Sequence, residues 1–333
     1  MHGAAVERDE RAGERGLPVG LGWCPLVMGE CVQGRLLDGR HFLITSPIGL
    51  FSWAEFTPDP EAQQLTVAPP GWRKSRLAVE RYLSAAGLPV GGRLRVITPL
   101  DPGQGFGTSS ADIAASVRAA ATAWGRGVTP DEIARLAVAI EPTDGSMYPG
   151  CVAFAHRVGD LLEPLGSLPA FEALVVCTGD IVDTGEFDRR RRDFRYPERD
   201  QQDIEAAWAM VRHANRTGDA ALMARAATLS SRINEQLLPK PFFGEMLHFV
   251  ELGGAEGIMT AHSGTAASLI LDPTRAGYDR RLAEAQDFMD GLGAPVWFQV
   301  SNRRHYQRSS GGHPGVFGRF SSAAPRARST RRG

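Results

Sequence analysis

Lysine is almost missing from this chain: its 37 Lys and Arg residues include only Lys74 and Lys240. The basic side chains are nearly all arginine, a bias that identifies no function by itself. Cysteine is scarce as well. Cys24, Cys31, Cys151 and Cys177 form no Cys-x-x-Cys pair, which excludes the common zinc spacings and speaks against a disulfide scaffold. Buried thiols in a reducing cytoplasm are expected instead. No apolar run approaches the ~18 residues of a membrane span. Residues 1 to 17 are polar and charged and lack the apolar centre of a secretory signal, so a cytoplasmic protein with no membrane partner is expected.

What is present suits an enzyme. A chain of 333 residues, 43% hydrophobic, can build two domains and a substantial core. The net charge of −1 conceals eight arginines and no acid in residues 301 to 333, leaving −9 for the rest. A basic tail with Gly, Ser and Pro can touch nucleic acid, but its composition fits disorder better. No nucleic-acid partner is expected, and residues 1–17 read as disordered too.

The most informative stretch runs from Pro99 to Val117. A strand-like run, Leu94 to Thr98, enters a glycine-rich turn, Gly103 to Gly107. Thr108, Ser109 and Ser110 follow, and then an alanine-rich helix to about Trp124. Glycines let backbone approach a ligand closely, and a helix start offers unpaired N–H donors with positive partial charge. Phosphate is the usual guest. The loop lacks the Gly-Lys-Ser/Thr of a Walker site. Its Gly103-x-Gly105-x-Gly107 spacing also fails the dinucleotide fingerprint, which needs a third glycine three residues after the second. Alone, such a loop is as consistent with a plain N-cap as with a phosphate site.

Its company decides the reading. Pro99 to Ala111 resembles the phosphate loop of the GHMP small-molecule kinases, Pro-x-x-x-Gly-Leu-Gly-Ser-Ser-Ala, with Phe106 at the Leu position. Cys24-Pro25-Leu26-Val27-Met28-Gly29-Glu30 is similar to that family's first motif. Gly253 to Thr265, ending Thr260-Ala261-His262-Ser263-Gly264-Thr265, is similar to its third. The three occur in the family's order. Within the superfamily the chain most resembles the L-threonine kinases of cobalamin biosynthesis, on Gly29-Glu30 with Gln33-Gly34, Ser109 to Ala115, Glu141-Pro142-Thr143-Asp144, Val182-Asp183-Thr184 and Ala261 to Thr265.

That resemblance implies an α+β, two-domain architecture: a first domain like ribosomal protein S5 domain 2 over residues 18–165, and a ferredoxin-like second domain over 166–300. Residues 301–333 would be a basic, disordered tail. It implies ATP and Mg²⁺ as cofactors, L-threonine as the small-molecule partner, and a monomer or homodimer. Pro99, Gly103, Gly105, Phe106, Gly107, Thr108, Ser109 and Ser110 would form the ATP-phosphate site. Ser109 and Glu141 would hold Mg²⁺, which binds through one or two protein oxygens plus phosphates. Asp144 is the candidate to accept or orient the substrate hydroxyl proton. Taken alone, Glu141 and Asp144 would read as exposed acids at a helix end.

Glu30, Asp183, Thr184, His262, Ser263 and Gly264 are substrate-side candidates. Asp183 and Thr184 are equally consistent with ordinary loop residues, and His262 with a brace behind the phosphate loop. Another hydroxy amino acid or a natural-product alcohol as acceptor, or a catalytically silent ligand sensor, are the alternatives.

Elsewhere the pattern alternates between strand and helix. Residues 20–33 and 41–56 read as extended, 72–86 as a helix, and Thr129-Pro130-Asp131-Glu132 as a helix start. Residues 151–157 and 173–178 read as strands, separated by a domain junction at Pro164–Pro169. A charged loop spans 188–200, with helices over 201–215, 220–237, 242–252 and 277–289. Short strands, 258–262, 265–271 and 296–300, complete a mixed sheet with helices on one side. Trp23, Cys24 and Cys31 are expected in the core.

Overall fold

The long apolar runs near the N-terminus form a hairpin, β1 (Gly20–Arg35) with β2 (His41–Pro58). The computed structural model describes residues 18–177, 194–294 and 296–303. Beyond the hairpin, β2 pairs with β4 (Gly92–Ile97) through residues 53–58 and with β5 (Cys151–Ala155) through Leu43 and Ile44. Strand β3 (Leu65–Ala68) joins β4 in parallel, and β6 (Asp160–Gly166) pairs with β5.

Three helices accompany this sheet: α1 (Arg73–Ala85), α2 (Thr108–Ala123) and α3 (Pro130–Val138). Alanines keep α2 slim enough to be buried along most of its length against β1 and β2. Helix α3 starts as its sequence announces. Thr129 Oγ1 accepts from the Glu132 N–H at 3.2 Å while Glu132 Oε2 accepts from the Thr129 N–H at 2.7 Å, a reciprocal cap.

The second sheet holds β7 (Glu172–Cys177), β8 (Gly257–Thr260), β9 (Ala267–Leu271) and β10 (Val296–Ser301) in the order β10-β7-β9-β8. That is the split βαβ order of a ferredoxin-like fold. Helices α4 (Glu198–Thr217), α5 (Ala220–Asn234), α6 (Phe243–Glu251) and α7 (Tyr278–Gly291) surround it. Ala173 and Val175 join Met28, Val32, Ile204 and Val211 in one buried cluster, while Leu174 and Val176 pack with Met246 and Met289 in another. The sheet is wholly antiparallel and apolar on both faces, so the expected mixed sheet with helices on one side is corrected on both counts.

Further corrections are local. β3 is too short to announce itself. Pro164 sits inside β6, an edge strand where its missing N–H costs little, so the strand extends into the expected junction. The charged loop ends sooner, because Glu198 and Asp200 fill the first turn of α4, where acids are favourable. Trp23 is 40% exposed rather than buried, edge-on to Phe51, whereas Cys24 and Cys31 are buried as expected. All four cysteines are free and buried. Among the described residues no helix is long and apolar enough to cross a membrane. Residues 1–17, 178–193 and 304–333, with their expected tails and loop, lie outside the described residues.

Candidate active site

The glycine loop between β4 and α2 is seated from two sides. The Val27 N–H donates to the Phe106 carbonyl at 3.0 Å, the Gly29 N–H to that of Gly105 at 3.3 Å, and the Ala266 N–H to that of Gln104 at 3.0 Å. Gly105 and Gly107 have φ of +100° and +61°, the region where side chains are strained. There is also no space for them: a Cβ on Gly105 would lie 2.0 Å from Ala261 Cβ, and one on Gly107 2.5 Å from Asp144 Oδ2. Phe106 contributes through its backbone, since its side chain is 1% exposed and packs near Phe298. Helix α2 then begins with no side-chain cap and no acid in its first turn. Among the described residues no side chain caps the donors that the helix start offers to an anion.

Beside the loop opens a cleft lined by Gly103, Gly105 to Ser110, Glu141, Thr143, Asp144, Glu30 and Ser263, among others. The two acids of Glu-Pro-Thr-Asp both reach it. Glu141 ends the turn after α3, its N–H bonded to the Ala137 carbonyl at 3.0 Å, and Pro142 stops any continuation. Its carboxylate accepts from Ser109 Oγ on one oxygen and from Lys74 Nζ on the other.

Asp144 is held by Ser110, whose Oγ accepts from the Thr143 hydroxyl at 2.8 Å and from the Asp144 N–H at 2.9 Å. Burial, then the charges of Glu30 and Glu141, push the Asp144 carboxyl up to about 7 against the pull of a Ser110 hydrogen bond. Ser110, expected at the phosphates, lines the cleft and also braces the 143–144 turn.

Ser109 and Glu141 place two oxygens together at the helix start. Among the described residues no group of three or more His, Cys, Asp or Glu could hold a metal. This sparse donor set fits a hard cation that keeps water and phosphate oxygens as its other ligands.

Lys74 is the functional neighbour that motif reading missed. It stands in the first turn of α1, and the only signal for it was its rarity in an arginine-rich chain. Its helix is tied down next door: Trp72 Nε1 donates at 2.7 Å to Asp112, a buried acid of α2 that also accepts from Ser52. Burial, opposed by those two hydrogen bonds, pushes Asp112 up to about 6.

Glu30 also lines the cleft, and its Oε2 accepts from the His262 N–H at 2.8 Å. His262 itself is fully buried and does not line the cleft. Its Nδ1 lies 3.1 Å from the Thr260 carbonyl and its Nε2 2.9 Å from Ser230 Oγ. Of the two roles open to it in the sequence, substrate contact or structural brace, its burial matches the brace, here behind Glu30. Gly264 is likewise structural: a Cβ there would lie 2.4 Å from the Gly105 nitrogen. Ser263 does line the cleft, and Pro99 is exposed outside it. Asp183 and Thr184 lie outside the described residues.

Free N–H donors at a helix start, with a buried carboxylate beside them, suit the handing of a phosphoryl group to an alcohol. The site thus defines a small-molecule phosphotransferase. Known proteins agree with it. The GHMP kinases N terminal domain family matches residues 74–154. The chain is 30% identical over 260 residues to the L-threonine kinase of Citrobacter freundii, covering 77% of this chain and 88% of that one. It is 30% identical over 268 residues to the L-threonine kinase of Salmonella typhimurium, covering 78% and 86%.

Among solved structures, the mevalonate kinase of L. major in complex with R-mevalonate superposes with a TM-score of 0.62 at 18% identity, over 89% of this chain and 98% of that one. The homoserine kinase of Cytophaga hutchinsonii superposes with 0.63 at 13%, over 90% and 99%. The chain belongs to the GHMP kinases, phosphotransferases that use ATP to modify a hydroxyl group, and has their two-sheet fold.

Proposed function

We propose that this kinase converts L-threonine and ATP to O-phospho-L-threonine and ADP, in the service of cobalamin biosynthesis. The observation that carries the chemistry is the meeting of Asp144 with the start of α2: a Cβ on Gly107 would lie 2.5 Å from Asp144 Oδ2. The acceptor is read from the two L-threonine kinase relatives.

Main-chain N–H groups of residues 105–109 bind and orient the triphosphate. Asp144 accepts the proton of the acceptor hydroxyl as that oxygen bonds to the γ-phosphorus and the bond to the ADP oxygen breaks. A carboxyl with a pKa near working pH is suited to that task. Lys74 and Ser109 keep Glu141 aimed at the phosphates. Ser109 and Glu141 are the residues that would hold Mg²⁺, which when bound neutralises phosphate charge. Each sheet belongs to one domain in this reading, with the division near residues 165 and 166.

Another hydroxy amino acid, such as homoserine, or a natural-product alcohol is the competing acceptor. A silent sensor is disfavoured by the presence of Ser109, Glu141 and Asp144 together. ADP release over threonine, serine, homoserine and mevalonate tests the reading. Preference for threonine supports it; preference for another acceptor reassigns the substrate, and ATP binding without any release points to a sensor.

A further inference from the structure

Strand β1 is irregular where it passes the cleft. Its register against β2 slips between Val27 and Glu30 and again between Glu30 and Val32, so that Glu30 faces Thr45, Val32 faces Ile44 and Gln33 faces Leu43. Residues three apart on a regular strand point to opposite faces. The extra residue between Glu30 and Val32 turns Gln33 onto the face that carries Glu30, which is how bulges re-aim side chains beside active sites. Both residues line the cleft, at 4% and 5% exposure, and so does Leu43.

A single buried network fixes this face from behind. The Gln33 N–H donates to Ser230 Oγ at 2.9 Å, Ser230 Oγ lies 2.9 Å from His262 Nε2, and the His262 N–H donates to Glu30. The side-chain carbonyl of Gln33, in contrast, is buried with no hydrogen-bond partner among the described residues. A buried acceptor left unmade costs desolvation with no return, so this position calls for a donor brought by a ligand. Its surroundings specify the donor's charge. The described lining holds the carboxylates of Glu30, Glu141 and Asp144 and no lysine or arginine. Glu141 is answered by Lys74 and Ser109, and Asp144 lies against Gly107; Glu30, one of whose oxygens accepts from the His262 N–H, is the carboxylate on Gln33's own strand face.

We propose that Glu30 and Gln33 form a subsite for the ammonium group of the acceptor, so that the enzyme selects alcohols carrying a primary amine. The inference rests on the kinase reading of the cleft and names the residues that would recognise the acceptor's amine. Glu30 supplies the opposite charge, the Gln33 carbonyl a neutral acceptor, and Leu43 an apolar wall for the acceptor's carbon skeleton.

Three compounds separate the terms on the full chain with ATP and Mg²⁺: L-threonine, 1-amino-2-propanol (amine kept, carboxylate removed) and 3-hydroxybutanoate (amine removed). Calorimetry reads binding and ADP release reads turnover. L-threonine and 1-amino-2-propanol should both bind, while kcat/KM for 3-hydroxybutanoate should fall ~10⁴-fold below L-threonine, as sites built to bond an N–H reject analogues without it. Gln33→Met should raise KM for L-threonine ~10–100-fold, leave ATP affinity unchanged and narrow the threonine-to-hydroxybutanoate ratio by the same factor. Gln33→Asn, the gentler change, should move both quantities the same way with a wild-type melting curve.

Equal use of 3-hydroxybutanoate and L-threonine, or equal losses on both in Gln33→Met, would overturn the subsite. Amine binding that depends on Gln33 without ADP release would sustain the subsite and sink the kinase reading. Transfer to amine-free alcohols alone would do the reverse.

Discussion

Burial and the charges of Glu30 and Glu141 raise the Asp144 carboxyl from 3.8 to about 7, and Asp144→Asn tests both what that costs and what it provides. Each pKa unit is worth about 1.36 kcal/mol, so ionised Asp144 lowers folding stability by at most ~4 kcal/mol. Solvent in the cleft screens part of this, leaving ~2 kcal/mol. Below pH ~4 both folded and unfolded chains hold the proton and the cost is absent. Between about 4 and 7 the unfolded chain ionises while the folded one keeps its proton, and stability falls. Above 7 the loss is constant.

Asparagine carries no charge, so its stability advantage should open through that window and then level off. Thermal unfolding without nucleotide or metal should show a gap larger at pH 8 than at pH 5 by ~1 kcal/mol, or ~2–4 °C. In the same variant kcat should drop ~10²–10⁴-fold with ATP affinity nearly intact. A gap indifferent to pH would refute the electrostatic argument, and unchanged turnover would remove Asp144 from the reaction.

Other outcomes follow from the same geometry. In the wild type kcat/KM should fall about tenfold per pH unit below ~7, because the proton-accepting form of Asp144 is titrated away; a flat profile down to pH 5 contradicts this. Glu141→Gln should raise the Mg²⁺ concentration needed for half-maximal rate at least ~10-fold, and an unaltered metal titration removes Glu141 as a ligand. Lys74→Met should produce a smaller shift in the same titration, since Glu141 loses the partner that orients it. Gly107→Ala should cost ~1–3 kcal/mol of stability through its positive φ and lower kcat by displacing Asp144; a melting curve like the wild type's would show that the loop gives way freely. Deleting residues 319–333 should leave turnover unchanged.

Much of this site was legible in the sequence because its chemistry lies in short runs. Gly103 to Ser110 places a tight turn before a helix, and Pro142 lets Glu141 and Asp144 leave helical geometry and converge. Roles within those runs were less legible. Ser110 and Ser109 are adjacent hydroxyls, yet helix geometry sends one to the Thr143–Asp144 turn and the other to Glu141. His262 looked like a ligand because it sits in a Gly/Ser-rich turn; only packing reveals that both ring nitrogens face protein groups. Lys74, and the placement of Gln33 within its motif, were opaque for a different reason. One reaches the site from a helix 67 residues before Glu141, and the other depends on a bulge that has no fixed sequence signature.

In the fold, alternation and capping identified the long elements, whereas β3 has only four residues and the edge strand β6 carries Pro164 and two acids that obscure its pattern.

The most direct test is a structure of the protein with a non-transferable ATP analogue, Mg²⁺ and L-threonine bound together. The γ-phosphate should rest on the amides of residues 105–109 with the threonine hydroxyl ~2.6–3.2 Å from an Asp144 oxygen. A nucleotide seated there with the hydroxyl on a wall remote from Asp144, or phosphates bound away from the α2 start, would contradict the account.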